Sequence, residues 1–435
     1  YTTLFRSQLI AMTKIDDEAV FTRKEFRYGV DCRDAAGFGF WQLAHASNKP
    51  MTAENLKAAI TAMETQTGDH GRPLGISPNL LVVPKALRFT AKKLLEADLV
   101  PNAAGTATES NDVKDALDFL VANSGKRRNL EVDFFGGEPL MAWRVVKQIV
   151  EYARSKEEES GKTFRFTFTT NGMLLNDEIN EFLNKEMYNV VLSLDGRKEI
   201  HDRLRRTVNG KGSYDYILPK FQKFAELRHQ DKYYVRGTFT HYNTDFAADV
   251  LHLADLGFKQ ISVEPVVAPP TEDYAIREED LPVIFEQYDI LAREMIKREK
   301  EGRGFNFFHF MIDLTGGPCV YKRLSGCGSG TEYLAVTPWG DFYPCHQFVG
   351  QEDFCLGNVY EGVKKTETVN EFKKCNVYSK KECSQCFARF YCSGGCAANS
   401  YNFTGKINDV YEIGCKMQQK RIECALMIKA ALAED

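Results

Sequence analysis

The chain has 435 residues, of which 43% are apolar and 27% charged, enough for two or three domains of roughly 150 residues with packed cores. A formal net charge of −4 offers no surface for a polyanion, so nucleic acid is not an expected partner. The longest apolar runs, such as Leu80–Val83 and Asn189–Leu194, fall far short of the ~20 residues of a membrane span. With no signal peptide at the N-terminus either, the cytoplasm is the expected location.

Met51–Thr67 has a helical pattern with Thr52 as N-cap, Leu80–Val83 reads as a strand stopped by Pro84, and Lys85–Leu99 as an amphipathic helix. Pro101–Val113 is small, polar and Gly/Pro-containing, and is expected to be a linker. Beyond it the pattern becomes regular. Strands are expected at Leu130–Phe135, Phe164–Thr170, Asn189–Leu194, Tyr234–Thr240 and Gln260–Val267, with helices between them at Trp143–Glu159, Asp177–Met187 and Tyr214–Leu227. Such alternation is that of an α/β protein with βαβ units and a parallel sheet, open or closed into a barrel.

In these folds ligands bind at the C-terminal ends of the strands. Those ends carry Gly136-Gly137-Glu138-Pro139, Asn171-Gly172, and Ser193 followed by Asp195-Gly196, with Arg205 shortly after; Arg236 and Glu264 lie within the last two strands. Paired glycines let backbone approach a ligand closely. Singly each feature is weak, and a strand-end Gly-Gly is more often only a tight turn.

Eleven of the twelve cysteines lie between Cys319 and Cys424. Cys383, Cys386, Cys392 and Cys396 read C-x2-C-x5-C-x3-C; Cys327 and Cys345 precede them, with Gly340 five residues before Cys345, and Cys415 follows. Thiols stay reduced in the cytoplasm, so this spacing is expected to bind metal, as iron–sulfur clusters or as structural zinc. Cys424 sits in a helix-like run and reads as core, whereas Cys32, Cys355 and Cys375 have no assigned task.

Two resemblances divide the chain. Arg27-Tyr-Gly-Val, Gly37-Phe-Gly-Phe-Trp-Gln-Leu43 and the run from Gly71 to Pro84 resemble the major head (capsid) subunit of Mu-type phages. The first seven residues, Tyr-Thr-Thr-Leu-Phe-Arg-Ser, resemble the translation of a common sequencing adaptor. A chimeric reading frame is therefore expected, with boundaries at 1–113, 114–310 and 311–435; one continuous gene in the source genome would contradict it.

Residues from about 114 onward resemble the radical S-adenosylmethionine (SAM) enzymes with a C-terminal SPASM domain. They are most similar to maturases that install thioether crosslinks in "six cysteines in forty-five residues" peptides. The resemblance rests on the ordered set Gly136-Gly137-Glu138-Pro139, Ser-Leu-Asp-Gly from Ser193, Arg205 and the seven-cysteine pattern. It implies that Gly136, Gly137, Glu138, Ser193, Arg205 and Arg236 contact SAM. It also implies two auxiliary [4Fe–4S] clusters with crossed ligation, one on Cys327, Cys345 and Cys396 and one on Cys383, Cys386, Cys392 and Cys415. Cys319 or a substrate thiol would complete the first. Expected partners are a Cys-rich precursor peptide and a reductase, flavodoxin or ferredoxin as electron donor. Where sulfatase-maturing relatives have a basic aspartate after the cysteine matching Cys345, this chain has His346, a weak catalytic candidate.

The C-x3-C-x2-C triplet that holds the radical-generating cluster in that family occurs nowhere in the chain. The expected fold is thus a partial (β/α) radical SAM barrel missing its first βα unit, followed by an irregular Cys-rich SPASM region and preceded by a small α/β segment. Such a chain is expected to be catalytically incomplete. A non-radical iron–sulfur scaffold or electron-transfer protein, and a phage structural protein, are the alternatives.

Overall fold

The computed structural model describes residues 9–12, 27–30, 47, 49–66, 110–313, 319–338 and 340–433. The chain divides into two compact units, Tyr1–Glu109 and Ser110–Asp435. In the first, strand β1 (Leu9–Met12) pairs antiparallel with β2 (Arg27–Val30). Helix α1 (Ala53–Glu64) starts at the expected cap, where the Thr52 hydroxyl accepts the Asn55 N–H at 3.2 Å. The expected elements at 80–83 and 85–99, and Cys32, lie outside the described residues.

The second unit opens with α2 (Ser110–Asn123), so the last four residues of the expected linker are helical. Val113, Leu117, Leu120 and Val121 form an apolar stripe against the core, and burying that stripe outweighs the polar, turn-like opening.

Six parallel strands follow in sequential order: β3 (Asn129–Phe134), β4 (Thr163–Thr170), β5 (Met187–Ser193), β6 (Tyr233–Phe239), β7 (Gln260–Pro265) and β8 (Asn306–Phe307). Helices α3 (Trp143–Ser160), α4 (Asp177–Glu186), α5 (Lys198–Leu204), α6 (Tyr214–Leu227), α7 (Phe246–Asp255) and α8 (Leu281–Lys300) connect them. The five expected strands are present, shifted by one or two residues. β8 escapes detection because two residues cannot display an alternation.

The two faces of the sheet differ sharply. Along β4, Phe164, Phe166, Phe168 and Thr170 are buried, while Arg165, Thr167 and Thr169 on the other face are half-buried. β6 repeats this with Tyr233, Val235 and Phe239 inside the core and Tyr234, Arg236 and Thr238 on the second face. The apolar face packs under the helices. The second face carries charged and hydroxyl side chains instead of the branched apolar layers that fill a closed barrel, which suits a ligand-holding concavity. β3 pairs with β4 alone among the described strands, leaving one edge without a neighbour.

A buried ion pair locks the β5–α5 turn. Asp249 on α7 is fully buried and accepts the Arg197 Nε–H at 2.7 Å, the Arg197 backbone N–H at 3.0 Å and the Asn243 amide at 3.1 Å. Its hydrogen bond pushes the Arg197 pKa further up. Gly196 makes the approach possible: it has φ +135°, and a Cβ there would sit 2.4 Å from the Asp249 Cβ. Arg197 Nη2 also reaches Asp245 at 2.9 Å from a part-exposed position, so the guanidinium keeps one partner when Asp249 is removed. Asp249→Ala should cost about 1.5–3 kcal/mol in urea unfolding, for the lost charge-assisted hydrogen bonds; a loss under ~0.5 kcal/mol would show that water replaces them.

The Cys-rich region has a small antiparallel sheet, β9 (Ala335–Val336), β10 (Asp341–Tyr343), β11 (Gly357–Asn358) and β12 (Gly362–Val363). With helix α9 (Thr366–Lys374) it surrounds a second core of Tyr343, Cys345, Phe348, Phe354, Phe372, Ala398 and Ile407. The long helix α10 (Glu412–Ala433) returns to the barrel side of the unit. There Arg421 Nε donates to the Tyr288 hydroxyl at 2.7 Å, and Cys424, 1% exposed, donates to Asp289 at 3.6 Å, so Cys424 is core as expected. No helix among the described residues is long and apolar enough to cross a membrane.

Candidate functional site

The C-terminal ends of β3 to β7 bring the expected strand-end residues to one side of the sheet. Gly136 has φ +139°, and a Cβ at Gly136 or Gly137 would meet nothing within 4 Å, so backbone is open to a ligand there. Glu138, beside the glycines, joins two strand ends. Its carboxylate accepts from Leu140 N–H at 3.0 Å, from the Thr170 hydroxyl at 3.0 Å and from Asn171 N–H at 2.7 Å. It ties the ends of β3 and β4 together, and so positions the glycine loop.

Arg205 is held by Asp195, a residue 1% exposed at the end of β5. Nε donates to one carboxylate oxygen at 2.6 Å and Nη2 to the other at 3.1 Å, while Thr238 N–H reaches the second oxygen at 3.1 Å. A bidentate, charge-assisted pair of this kind fixes the plane of the guanidinium. A relay of hydrogen bonds supports it. Burial lowers the pKa of the fully buried His201 and keeps its ring neutral. Asp195 N–H donates to Nδ1 at 3.3 Å; Nε2 therefore carries the proton and donates to Ser213 Oγ at 2.9 Å, which donates to the Arg205 carbonyl at 2.7 Å. Gly237 lets β6 come close, since a Cβ there would lie 2.7 Å from the Asp195 Cα.

Arg236 on β6 pairs with Glu264 on β7 at 3.2 and 2.9 Å, and both remain half-exposed. The Cys-rich region reaches this rim through His346, whose ring lies 4.9 Å from that of Phe135, next to Gly136. Desolvation first and the Arg236 charge second lower the His346 pKa. Ser193 ends β5 half-buried. A cavity of about 330 Å³ at the opposite strand ends, between Arg165, Asn189, Tyr234 and Gln260, is separate from these residues.

The cysteines fall into two sets by their electrostatic neighbours. Cys345 feels Cys396 and Cys327, and Cys396 feels Cys327. In the other set, Cys383 feels Cys392 and Cys386, and Cys415 feels Cys392, Cys383 and Cys386. Burial raises the thiol pKa of Cys345, Cys383, Cys392 and Cys396, and pushes that of Cys415 up to about 12. Donors face the sulfurs: the Gly395 and Gly394 N–H groups at Cys392, Asn399 and Ala398 N–H at Cys396, Gln347 N–H at Cys345, and the Gln419 amide 3.5 Å from Cys386 Sγ. N–H groups aimed at sulfur suit thiolates, and they tune iron–sulfur centres. Among the described residues no three potential ligands stand close enough to share one ion. A cubane offers each thiolate its own iron, so its ligands need not close on one point.

Cys319 is exposed and joins neither set among the described residues. Cys375 does join one. Its thiol donates to the Ile407 carbonyl at 3.3 Å, and it feels Cys327 and Cys396. No spacing signal marks Cys375, because its neighbours come from remote parts of the chain.

The comparisons follow the division of the chain. The family "Mu-like prophage major head subunit gpT" matches residues 4–124, and "4Fe-4S single cluster domain" matches residues 100–219. The chain is 41% identical to the major capsid protein of Escherichia phage Mu over 27% of its own length and 38% of that protein's. It is 30% identical to an uncharacterised protein of Archaeoglobus fulgidus, covering 69% of each. The chain belongs to one family with that archaeal protein. It is also 21% identical to the radical SAM cyclopropyl synthase TigE of Paramaledivibacter caminithermalis, over 66% of this chain and 57% of that one. The solved structure "Native anSMEcpe with bound AdoMet" superposes with a TM-score of 0.61 at 18% identity, over 75% of this chain and 90% of that one. The α/β fold with its parallel sheet is thus similar to that of this AdoMet-binding structure, and a segment matching the phage head subunit precedes it in the sequence. The chain spans little more than a third of the capsid protein it matches and just over half of the cyclopropyl synthase.

Proposed function

We propose that residues 110–435 form the SAM-binding and auxiliary-cluster part of a radical SAM peptide maturase. The finer reading is thioether crosslinking of a Cys-rich precursor peptide, with electrons supplied by a flavodoxin, ferredoxin or reductase. The observation that supports it most is the sorting of the seven spaced thiols, with Cys375 beside them, into two sets next to a strand-end site holding Arg205, Arg236 and open glycine backbone. Cys327, Cys345 and Cys396 would hold one [4Fe–4S] cluster, and Cys383, Cys386, Cys392 and Cys415 the other. Cys319, Cys375 or a substrate thiol is left to take the fourth iron of the first.

When bound, SAM and a reducing cluster supply a hydrogen-abstracting radical, the hard chemistry that side chains cannot provide. The chain's own residues bind and orient. Gly136 and Gly137 present backbone to the ligand. Arg205, fixed by Asp195, presents the remaining guanidinium N–H groups to an anionic group. Arg236 and Glu264 line the same rim, and His346 brings a neutral ring with an acceptor nitrogen to it. An iron–sulfur scaffold serving electron transfer is the second reading, favoured by the absence of the C-x3-C-x2-C triplet from the sequence.

Anaerobic reconstitution with iron and sulfide should give about eight irons and eight acid-labile sulfides per chain. Recovering about two zinc ions with no acid-labile sulfide would overturn the cluster assignment in favour of structural zinc.

A further inference from the structure

Lys380 is 2% exposed, in the segment between Cys375 and Cys383. An ammonium group has three N–H donors, yet among the described residues one acceptor meets it, the Gly394 carbonyl at 2.9 Å. Among the described residues no carboxylate stands within ion-pairing distance of it. Burying a cation in that state is costly, and folded chains pair such charges or leave them outside. The Lys380 ammonium group is anchored on the turn between Cys392 and Cys396, one cysteine of each set. Its charge acts on Cys375 and Cys396 in the first set, and on Cys383, Cys392 and Cys415 in the second. As neutral thiols they balance nothing. As ligands of clusters they are thiolates, each cluster is an anion, and reduction adds one more negative charge.

We propose that Lys380 is the shared counter-charge of two iron–sulfur clusters and holds the reduction potentials of both up. This rests on the two-cluster reading above. A fixed cation favours the more negative, reduced cluster over the oxidised one, and in a buried setting little water screens it. Its position between the sets makes the effect common to both clusters and favours keeping electrons within the pair.

The test uses the whole reconstituted chain, with iron and sulfide assayed first and cluster reduction then followed by EPR at fixed potentials. Lys380→Met should retain wild-type iron, while the ratio of reduced to oxidised cluster falls about tenfold at both centres, equal to about 59 mV for a one-electron couple. Lys380→Arg, which keeps the charge, should restore the wild-type ratio. Unchanged ratios in Lys380→Met with full iron overturn the proposal, as does a shift confined to one cluster. If Lys380→Met takes up no iron, normal uptake by Lys380→Arg upholds the role of charge, and loss of uptake in both variants overturns it. Wild-type chain without iron or acid-labile sulfide overturns the cluster reading and this inference together.

Discussion

Incubated anaerobically with SAM and a strong reductant, the reconstituted chain should release no 5′-deoxyadenosine above the protein-free blank. No cysteine lies between Cys32 and Cys319, so the stretch matching the 4Fe-4S single cluster family, residues 100–219, contains no thiolate with which to hold iron. Arg205, Arg236 and the open glycine loop would still bind SAM. Binding with no electron delivered at the sulfonium leaves the C–S bond intact, and tight binding does not substitute for the missing step. The auxiliary centres are no replacement where every iron carries a protein thiolate, because SAM needs an open iron to chelate. Two measurements separate the steps. Equilibrium dialysis should show SAM bound by the wild type and weakened in Arg205→Ala, whereas turnover should be nil in both. Product formation above blank by the wild type would show that an auxiliary centre cleaves SAM, and the claim of catalytic incompleteness would fall.

The barrel was legible because burial there follows the backbone period. Phe164, Phe166 and Phe168 alternate with Arg165, Thr167 and Thr169, and such a pattern needs no knowledge of partners. The cysteine-rich tail was legible because ligands on tight loops recur at short spacings, whereas its division into two sets was only what the family resemblance implied. What stayed hidden depends on distant parts of the chain. Glu138 was seen only as a ligand contact, yet it also accepts from Thr170 and Asn171, 32 and 33 residues on. Asp195 was seen only as a polar strand end, although it fixes Arg205 and meets the Thr238 N–H from the next strand. Lys380 carries no signal in the run Ser379-Lys-Lys381, because its partner, the Gly394 carbonyl, lies 14 residues on. The helix start at Ser110 was misread because Ser, Asn and Asp serve equally as linker residues and as helix openers.

Cys392 and Cys396, three residues apart, should behave as members of different clusters. Cys392 feels Cys386, and Cys415 feels Cys392; Cys396 instead feels Cys327 and is felt by Cys345. A glycine pair makes the crossing possible. Ser393, Gly394 and Gly395 take positive φ values of 60°, 84° and 75°, a left-handed turn that reverses the chain between the two sulfurs. In Cys396→Ala, iron should fall from about eight to about four per chain, and the signal of the first cluster should vanish while that of the second persists. Cys392→Ala should give the same iron count with the opposite signal lost. Cys327→Ala should copy the first variant and Cys415→Ala the second. None of the four substitutions lies in the larger core around β4 and β6, so far-ultraviolet circular dichroism should stay near wild type and separate ligand loss from unfolding. If Cys392→Ala and Cys396→Ala extinguish the same signal, the two thiols serve one centre and crossed ligation is wrong. If each removes all iron, the two centres assemble as a single unit across the Cys392–Cys396 turn.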